Sequence, residues 1–146
     1  MGPLVLDTCV LVAAVRSRTG ASYVLVNLAL VGKITAVLTV PLLNEYEEVL
    51  YRSDNRVEGW TDADLAALIE GLLGPSDWVE THFSYRPTLR DEADEFVLEA
   101  AINGHADIVT FNVKHFKPAS RFGVQVWRPS EILKMLYQGG LHHGEK

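Results

Sequence analysis

The amino-acid sequence predicts an α/β domain with a largely parallel sheet that helices cover on both faces. Short apolar runs rich in β-branched residues alternate along the chain with longer segments of helical periodicity, as in parallel α/β proteins. Of the 146 residues, 48% are apolar, which is enough to build one compact core. No repeat or Pro/Gly/Ser-rich linker interrupts the chain, so we expect one domain over residues 1–138 and a disordered tail over 139–146.

In the first half of the chain, two strands are predicted among helical segments. The run PLVLDT, residues 3–8, is apolar and predicts a buried strand, and the β-branched run KITAVLTV, residues 33–40, predicts a second. Helical patterns cover residues 9–31 with a break near Gly20, residues 41–52 behind Pro41, and residues 61–74, where Thr61 or Asp62 is the N-cap and Gly74 ends the helix.

The second half of the chain continues this alternation. Strands are predicted at residues 77–83, 106–111 and 124–128. One helix spans residues 90–104, with Asp91 as its N-cap and Gly104 as the residue just past its end, and another spans 130–138 after Pro129.

Composition and charge exclude several classes of protein. No apolar run reaches the ~20 residues of a membrane span, so we expect no membrane contact. The N-terminus lacks the pattern of a secretion signal, and one cysteine cannot form an internal disulfide, so we expect a reducing cytoplasm. The net charge of −6 argues against a protein that coats nucleic acid through general basicity. It leaves open nucleic-acid chemistry at a metal held by acids.

Asp7 is the single charged residue in the apolar run PLVLDTCVLVAAV, residues 3–15. It lies at the carboxyl end of the first predicted strand, where parallel sheets bind their ligands. It also precedes a helix, where an aspartate commonly caps free backbone N–H groups. The two roles are compatible, and position alone leaves both open.

The acids of the helix that follows Asp91 fall on two faces. At about 100° per residue, Glu92, Glu95 and Glu99 share a narrow arc that we predict to be solvent-exposed. Asp94 falls away from them, on the core-facing side. An inward carboxylate is costly unless it is paired, protonated or bound to metal. The alternative is a capping arrangement with Asp91 in the first turn.

Other polar residues lie at the same predicted edge of the sheet. Glu45 and Glu47 border the apolar stripe of their helix, and helix geometry does not choose between them. Thr110 and Asn112 follow a predicted strand, although Asn112 also suits a turn. His115 is most simply a surface histidine.

Four motifs follow one another along the chain: VLDTCVLVAA, VPLLNEYEEVL, DEADEFVLEAAINGHADIVTFNVKHF and GVQVWRPSEIL. Together they resemble the PIN domain family, and more narrowly the PIN toxins of bacterial toxin–antitoxin systems, of the VapC kind. The resemblance implies a three-layer α/β/α sandwich with a central, mainly parallel sheet. It also implies a single-strand-directed endoribonuclease that uses Mg²⁺ or Mn²⁺ and leaves 5′-phosphate and 3′-hydroxyl ends.

The resemblance assigns the catalytic positions to Asp7, Glu45, Asp94 and Asn112, and the metal ligands to the first three. It thereby selects Glu45 from the two glutamates of its helix. Asn112 stands where the family commonly has aspartate, and Cys9 where it commonly has asparagine. A neutral Asn112 weakens the case for a second metal ion, and Cys9 removes an amide next to the first acid.

Three converging carboxylates would suit Mg²⁺ or Mn²⁺, which would activate a bound water for attack on phosphorus. Lys114 and Arg16 are predicted to bind substrate because cations are needed to neutralise RNA phosphates, and Arg18, Arg52 and Arg56 follow the same motifs as Arg16. Thr110 is predicted to bind substrate beside Asn112, where the two would position the substrate phosphate or a metal-bound water.

The resemblance further implies a cognate antitoxin and a homodimer. Two alternatives are a PIN nuclease that matures RNA or cuts DNA flaps without toxicity, and a non-catalytic RNA-binding module in which Asn112 marks a lost site. His142 and His143 resemble a metal pair but belong to the predicted tail.

Overall fold

A parallel sheet forms the centre of the computed structural model, which describes residues 1–81, 89 and 91–140. Within these residues the strands are β1 (Leu4–Leu6), β2 (Val37–Leu38), β3 (Asp77–Trp78), β4 (Asp107–Val109) and β5 (Val126–Trp127). All paired strands are parallel, and a bridge between Leu4 and Ala36 joins the two ladders in the order β3-β2-β1-β4-β5. The predicted parallel sheet is confirmed.

Six α-helices surround this sheet in the described part of the chain. They are α1 (Thr8–Arg16), α2 (Ala21–Leu30), α3 (Val40–Tyr51), α4 (Asp62–Leu73), α5 (Glu92–Gly104) and α6 (Pro129–Met135). A short 3₁₀ segment follows α3 at Ser53–Asn55, a long one follows β4 at Val113–Phe122, and Leu136–Gly140 is π-helical. The long 3₁₀ segment was not predicted, since Pro118 and its kink at Phe116 disguise any helical period.

The central strands are buried on both faces. Every residue of β1 is at most 2% exposed, and Ile108 and Val109 of β4 are completely covered. Successive strand residues point to opposite faces, so full burial requires helices above and below the sheet. The predicted α/β/α architecture is therefore confirmed. The sequences of its core strands are continuous apolar runs, without the polar–apolar alternation of a strand that has one solvent-exposed face.

Helix caps fix where the strands and helices meet. Thr61, not Asp62, caps α4 and forms a reciprocal capping box with Asp64, and Gly74 is the C-cap, as predicted. Thr39 accepts a hydrogen bond from Leu42 N–H at 3.2 Å and starts α3 one residue before Pro41. The predicted strand over 33–40 is consequently shortened to β2.

Two predictions for α5 are wrong. Glu95 and Glu99 are buried, not solvent-exposed. Glu95 Oε1 accepts a hydrogen bond from Leu89 N–H, so this carboxylate has a backbone partner on the face that was predicted to be solvent-exposed. The left-handed residue that ends the helix is His105 at φ +51°, not Gly104, which remains helical.

Some predictions fall outside the described residues. These are the helix start at Arg90, residues 82 and 83 of the strand predicted over 77–83, and most of the tail with His142 and His143. Residues 79–81 are described and are not part of a strand, so that predicted strand is shortened to β3. In the described ranges, no single helix is long and apolar enough to cross a membrane; α1 and α2 together reach that length and composition but are bent by 107°.

Gly104 permits the close approach of α5 to the sheet. A Cβ at this position would lie 2.8 Å from Cγ1 of the fully buried Val37. A Cβ on Gly74 would meet nothing within 4 Å. We expect Gly104→Ala to be less stable than the control Gly74→Ala by about 1–3 kcal/mol in urea unfolding, because overpacking a core strains both elements.

The double variant Gly104→Ala/Val37→Ala should be less destabilised than the two single changes summed, since it removes the clash. Equal stability of Gly104→Ala and Gly74→Ala would contradict this account of helix–sheet contact.

Candidate active site

The carboxyl ends of β1 and β4 open into a groove bounded by α1, α3 and the start of α5. The cavity in this groove has a volume of about 660 Å³. Four carboxylates line it: Asp7, Glu45, Asp91 and Asp94. Asn112, His115 and two arginines, Arg16 and Arg52, line it as well. The fold therefore brings residues far apart in the chain to one place, at the sheet edge where parallel α/β proteins bind ligands.

Asp7 is held rigidly, with 4% of its surface exposed. Its Oδ1 accepts a hydrogen bond from the backbone N–H of Thr8 at 2.8 Å, so it caps α1 as one of the two open roles requires. Its Oδ2 accepts hydrogen bonds from the Thr110 hydroxyl at 2.7 Å and the Cys9 thiol at 3.4 Å. The cap and the cavity position coexist in one side chain.

Thr110 joins the two strand ends behind Asp7. It is completely buried, and besides donating to Asp7 its hydroxyl accepts a hydrogen bond from Asn112 N–H at 2.9 Å. The sequence predicts Thr110 as a substrate-binding residue. Because Thr110 is completely buried, its hydroxyl orients Asp7 and the backbone of Asn112 instead of contacting a substrate.

Cys9 occupies the position that asparagine commonly takes in the family. Its thiol donates to Asp7 Oδ2 and lies 3.6 Å from the Thr110 hydroxyl. Burial, followed by the negative charge of Asp7, raises the pKa of the thiol to about 11. Cys9 is thus a neutral hydrogen-bond donor beside the first acid, not a thiolate nucleophile.

Asp94 points into the groove, as its helical position predicts, and only 13% of its side chain is exposed. Burial, followed by repulsion from Asp7 and Asp91, raises the pKa of Asp94 to about 6, against the partial relief from His115. The Nδ1 atom of His115 lies 3.4 Å from Asp94 Oδ2. His115 is therefore the partner of the inward Asp94 carboxylate, in place of the capping arrangement with Asp91 that was the alternative.

Glu45 is half-buried on the groove side of α3, whereas Glu47 is exposed and does not line the cavity. Burial raises the pKa of Glu45, and Glu48, Asp91 and Glu92 contribute in the same direction, against the opposing effect of Arg52. Asp91, the N-cap of α5, also lines the cavity, although it was not predicted as a site residue.

The remaining predicted residues are divided by the fold. Arg16 lines the cavity, while Lys114 is exposed and lies outside its described lining. Arg52, one of the arginines considered for neutralising RNA phosphates, lines the cavity, and so does Asn55, which was not predicted as a site residue. The only signal for Asn55 in the sequence was its position just after the helix that carries Glu45.

The donor set fits a hard divalent cation. Carboxylate oxygens are the ligands that Mg²⁺ and Mn²⁺ prefer, and the mutual repulsion that raises the pKa of Asp94 is what a bound cation would relieve. Among residues 1–81, 89 and 91–140, no three His, Cys, Asp or Glu side chains form a ready-made metal cluster. Mg²⁺ is commonly bound through one or two carboxylates and several waters, so a fit does not require such a cluster.

Asp94 should limit the stability of the metal-free protein. Its pKa of about 6 in the folded state exceeds the ~3.9 of an unfolded chain. The folded state therefore binds more protons in this window, and stability falls as the pH rises through it, by about 1–2 kcal/mol. We expect Asp94→Asn to be more stable than wild type toward urea at about pH 8 in EDTA, with the gap closing toward about pH 4.

Asp64→Asn provides a control of opposite sign. Hydrogen bonds from Thr61 N–H and its hydroxyl lower the pKa of Asp64, so its stabilising effect is present above the unfolded pKa and lost in acid. Asp64→Asn should therefore be less stable at about pH 8. A loss of stability in Asp94→Asn under the same conditions would contradict the repulsion inferred for the groove.

Comparison with known proteins agrees with this geometry. The sequence pattern of the PIN domain family matches residues 3–114, from β1 through the segment after β4. No curated protein matches the chain significantly in sequence. The crystal structure of VapBC2 from Rickettsia felis bound to a DNA fragment from their promoter contains a chain of similar fold, with a TM-score of 0.59 and 17% identity over 86% of this chain and 98% of that one. Because the family pattern covers most of the chain and all four groove acids, the chain belongs to the PIN domain family.

Proposed function

We propose that this protein is a metal-dependent endoribonuclease in which Asp7, Glu45 and Asp94 hold Mg²⁺ or Mn²⁺. The observation that carries the proposal is that acids from three separate elements of a PIN domain line one cavity. We expect RNA phosphodiesters as substrates because PIN domain proteins are typically nucleases that cleave RNA. The neutral amide of Asn112 would orient a metal-bound water or the substrate phosphate without adding charge.

The chain's own residues prepare the site for this chemistry. A bound divalent cation would supply a water of lowered pKa and stabilise charge on a phosphate oxygen. Thr8 and Thr110 fix the two oxygens of Asp7. The buried Tyr46 hydroxyl donates to the Leu6 carbonyl, so the strand end that carries Asp7 is tied to α3. Such second-layer hydrogen bonds orient ligands and tune metal affinity.

Conservative changes at the acids test the proposed metal site. We expect Glu45→Gln and Asp94→Asn to lose saturable Mn²⁺ binding in calorimetry and to slow cleavage of single-stranded RNA by about 100-fold or more, because several kcal/mol of metal stabilisation disappear. Glu47→Gln is the matched control, since it changes an exposed glutamate two residues away. It should keep both properties.

The opposite pattern would reject the metal site. Wild-type protein that binds no Mn²⁺, even with an RNA oligomer present, would favour a non-catalytic RNA-binding module. If Glu47→Gln lost as much Mn²⁺ binding and RNA cleavage as Glu45→Gln, the overall negative charge of the protein, and not the position of Glu45 in the groove, would attract the cation.

We further propose that the protein is the toxin of a toxin–antitoxin pair. The support is the fold shared with a chain of the VapBC2 complex. We expect induced expression in a bacterial host to arrest growth by about tenfold or more in colony counts, and Asp7→Asn to relieve the arrest because it removes the innermost acid. Relief by co-expression of a small neighbouring gene would identify the antitoxin. RNA cleavage in vitro without growth arrest would instead indicate a PIN nuclease for RNA maturation.

A further inference from the structure

The groove carries opposite charges at its two ends. One face of α1 lines it, with Thr8, Cys9, Val12, Ala13, Arg16 and Ser17 recurring at the spacing of helical turns. Asp7 therefore lies at one end of α1 and Arg16 at the other. Nine helical residues at 1.5 Å each separate them by roughly 13 Å.

The opposite wall has the same polarity. Glu45, Val49 and Arg52 follow one face of α3, so Glu45 faces the acids and Arg52 lies two turns further on. The separation along this helix is roughly 10 Å. Between the charged ends the walls are small and apolar, at Val12, Ala13 and Val49.

Asn55 holds the arginine end together. Its side-chain carbonyl accepts a hydrogen bond from Arg16 Nη2 at 3.1 Å, and its side-chain amide donates to the Val49 carbonyl at 2.9 Å. Its backbone N–H donates to the Arg52 carbonyl at 3.0 Å. A short 3₁₀ turn thus ties the Arg16 side chain to the end of α3, where Arg52 also lines the cavity.

Arg52 itself is available for a ligand. Its pair with Glu48 spans 3.3 Å, and both side chains are more than half exposed. Exposed pairs of this kind contribute little and exchange readily for a better partner. The planar guanidinium group matches a phosphate in two-pronged geometry, which a lysine cannot reproduce.

We infer that Arg16 and Arg52 form a phosphate-binding subsite for single-stranded RNA, with Asn55 as the residue that positions Arg16. The inference rests on the proposed function for the location of the cleaved bond at the acid end. The subsite lies roughly 10–13 Å from that end, so it takes a neighbouring phosphate and not the one that is cleaved. Such a subsite is needed to bind RNA because the protein has a net charge of −6 and the acids of the groove repel phosphate groups.

A nucleic-acid strand suits the groove better than an acidic peptide because of Phe111. This phenylalanine is 46% exposed and lines the cavity directly after β4, beside Asn112. An exposed aromatic ring next to a phosphate path is the usual platform for an unpaired base.

Binding of a fluorescein-labelled single-stranded RNA oligomer tests the subsite. Anisotropy is measured over a range of NaCl concentrations with Mg²⁺, using Asp7→Asn protein so that the RNA stays intact. We expect Arg16→Ala and Arg52→Ala each to raise Kd by about fivefold to tenfold and to reduce the slope of log Kd against log salt by about 1. Arg18→Ala, at an exposed arginine outside the groove lining, is the matched control and should change Kd less than about twofold.

Two further variants separate positioning from a structural role. Asn55→Ala should weaken RNA binding far less when it is added to Arg16→Ala than when it is made alone, because Asn55 acts through Arg16. Arg16→Lys keeps the charge and the fold but loses the two-pronged contact, so its Kd should lie between those of wild type and Arg16→Ala.

The subsite is overturned if Arg16→Ala and Arg52→Ala behave like Arg18→Ala, or if the same arginines bind polyglutamate but no RNA. Full additivity of Asn55→Ala and Arg16→Ala overturns the positioning role. Arginine-dependent RNA binding without cleavage by wild-type protein under any divalent metal supports the subsite and rejects the proposed nuclease.

Discussion

The buried carboxylate of Asp7 connects three of the elements from which the groove is built. It follows β1, caps α1 and accepts a hydrogen bond from the Thr110 hydroxyl at the end of β4. Because all its strong hydrogen bonds come from buried or backbone donors, its orientation is set before any ligand arrives. Loss of one donor would leave a buried charge poorly solvated, which is far more costly than the hydrogen bond itself. The sheet edge and the site are therefore a single cooperative unit.

The groove contains carboxylates whose negative charges destabilise the folded protein when no cation is bound. Burial, together with repulsion from neighbouring acids, raises the pKa of both Asp94 and Glu45, so the metal-free fold carries a free-energy cost at neutral pH. Structural carboxylates behave differently, as the lowered pKa of Asp64 in its capping box illustrates. Acids retained against their own stability mark places where a ligand supplies the compensating charge.

Separation of charge along the groove gives it a direction. Acids gather where the strands end, and arginines gather where α1 and α3 end. The two helices run from one cluster to the other, so their length sets the spacing between a cation site and an anion site. A strand of alternating phosphates and bases fits such a spacing, whereas a uniformly charged surface would not select a register.

The sequence by itself determined the parallel α/β class, the position of Asp7 at a strand end and the inward face of Asp94, because hydrophobic period and helix angle are local properties of the chain. It could not choose between Glu45 and Glu47 without a resemblance, and it left Asp91 as a cap. Tertiary structure alone decided that Glu95 and Glu99 are covered, that Thr110 lies behind Asp7, and that Asn55 aligns Arg16 with Arg52. The Thr110 and Asn55 contacts join residues 103 and 39 positions apart, so they depend on how helices pack around the sheet, which no local pattern encodes.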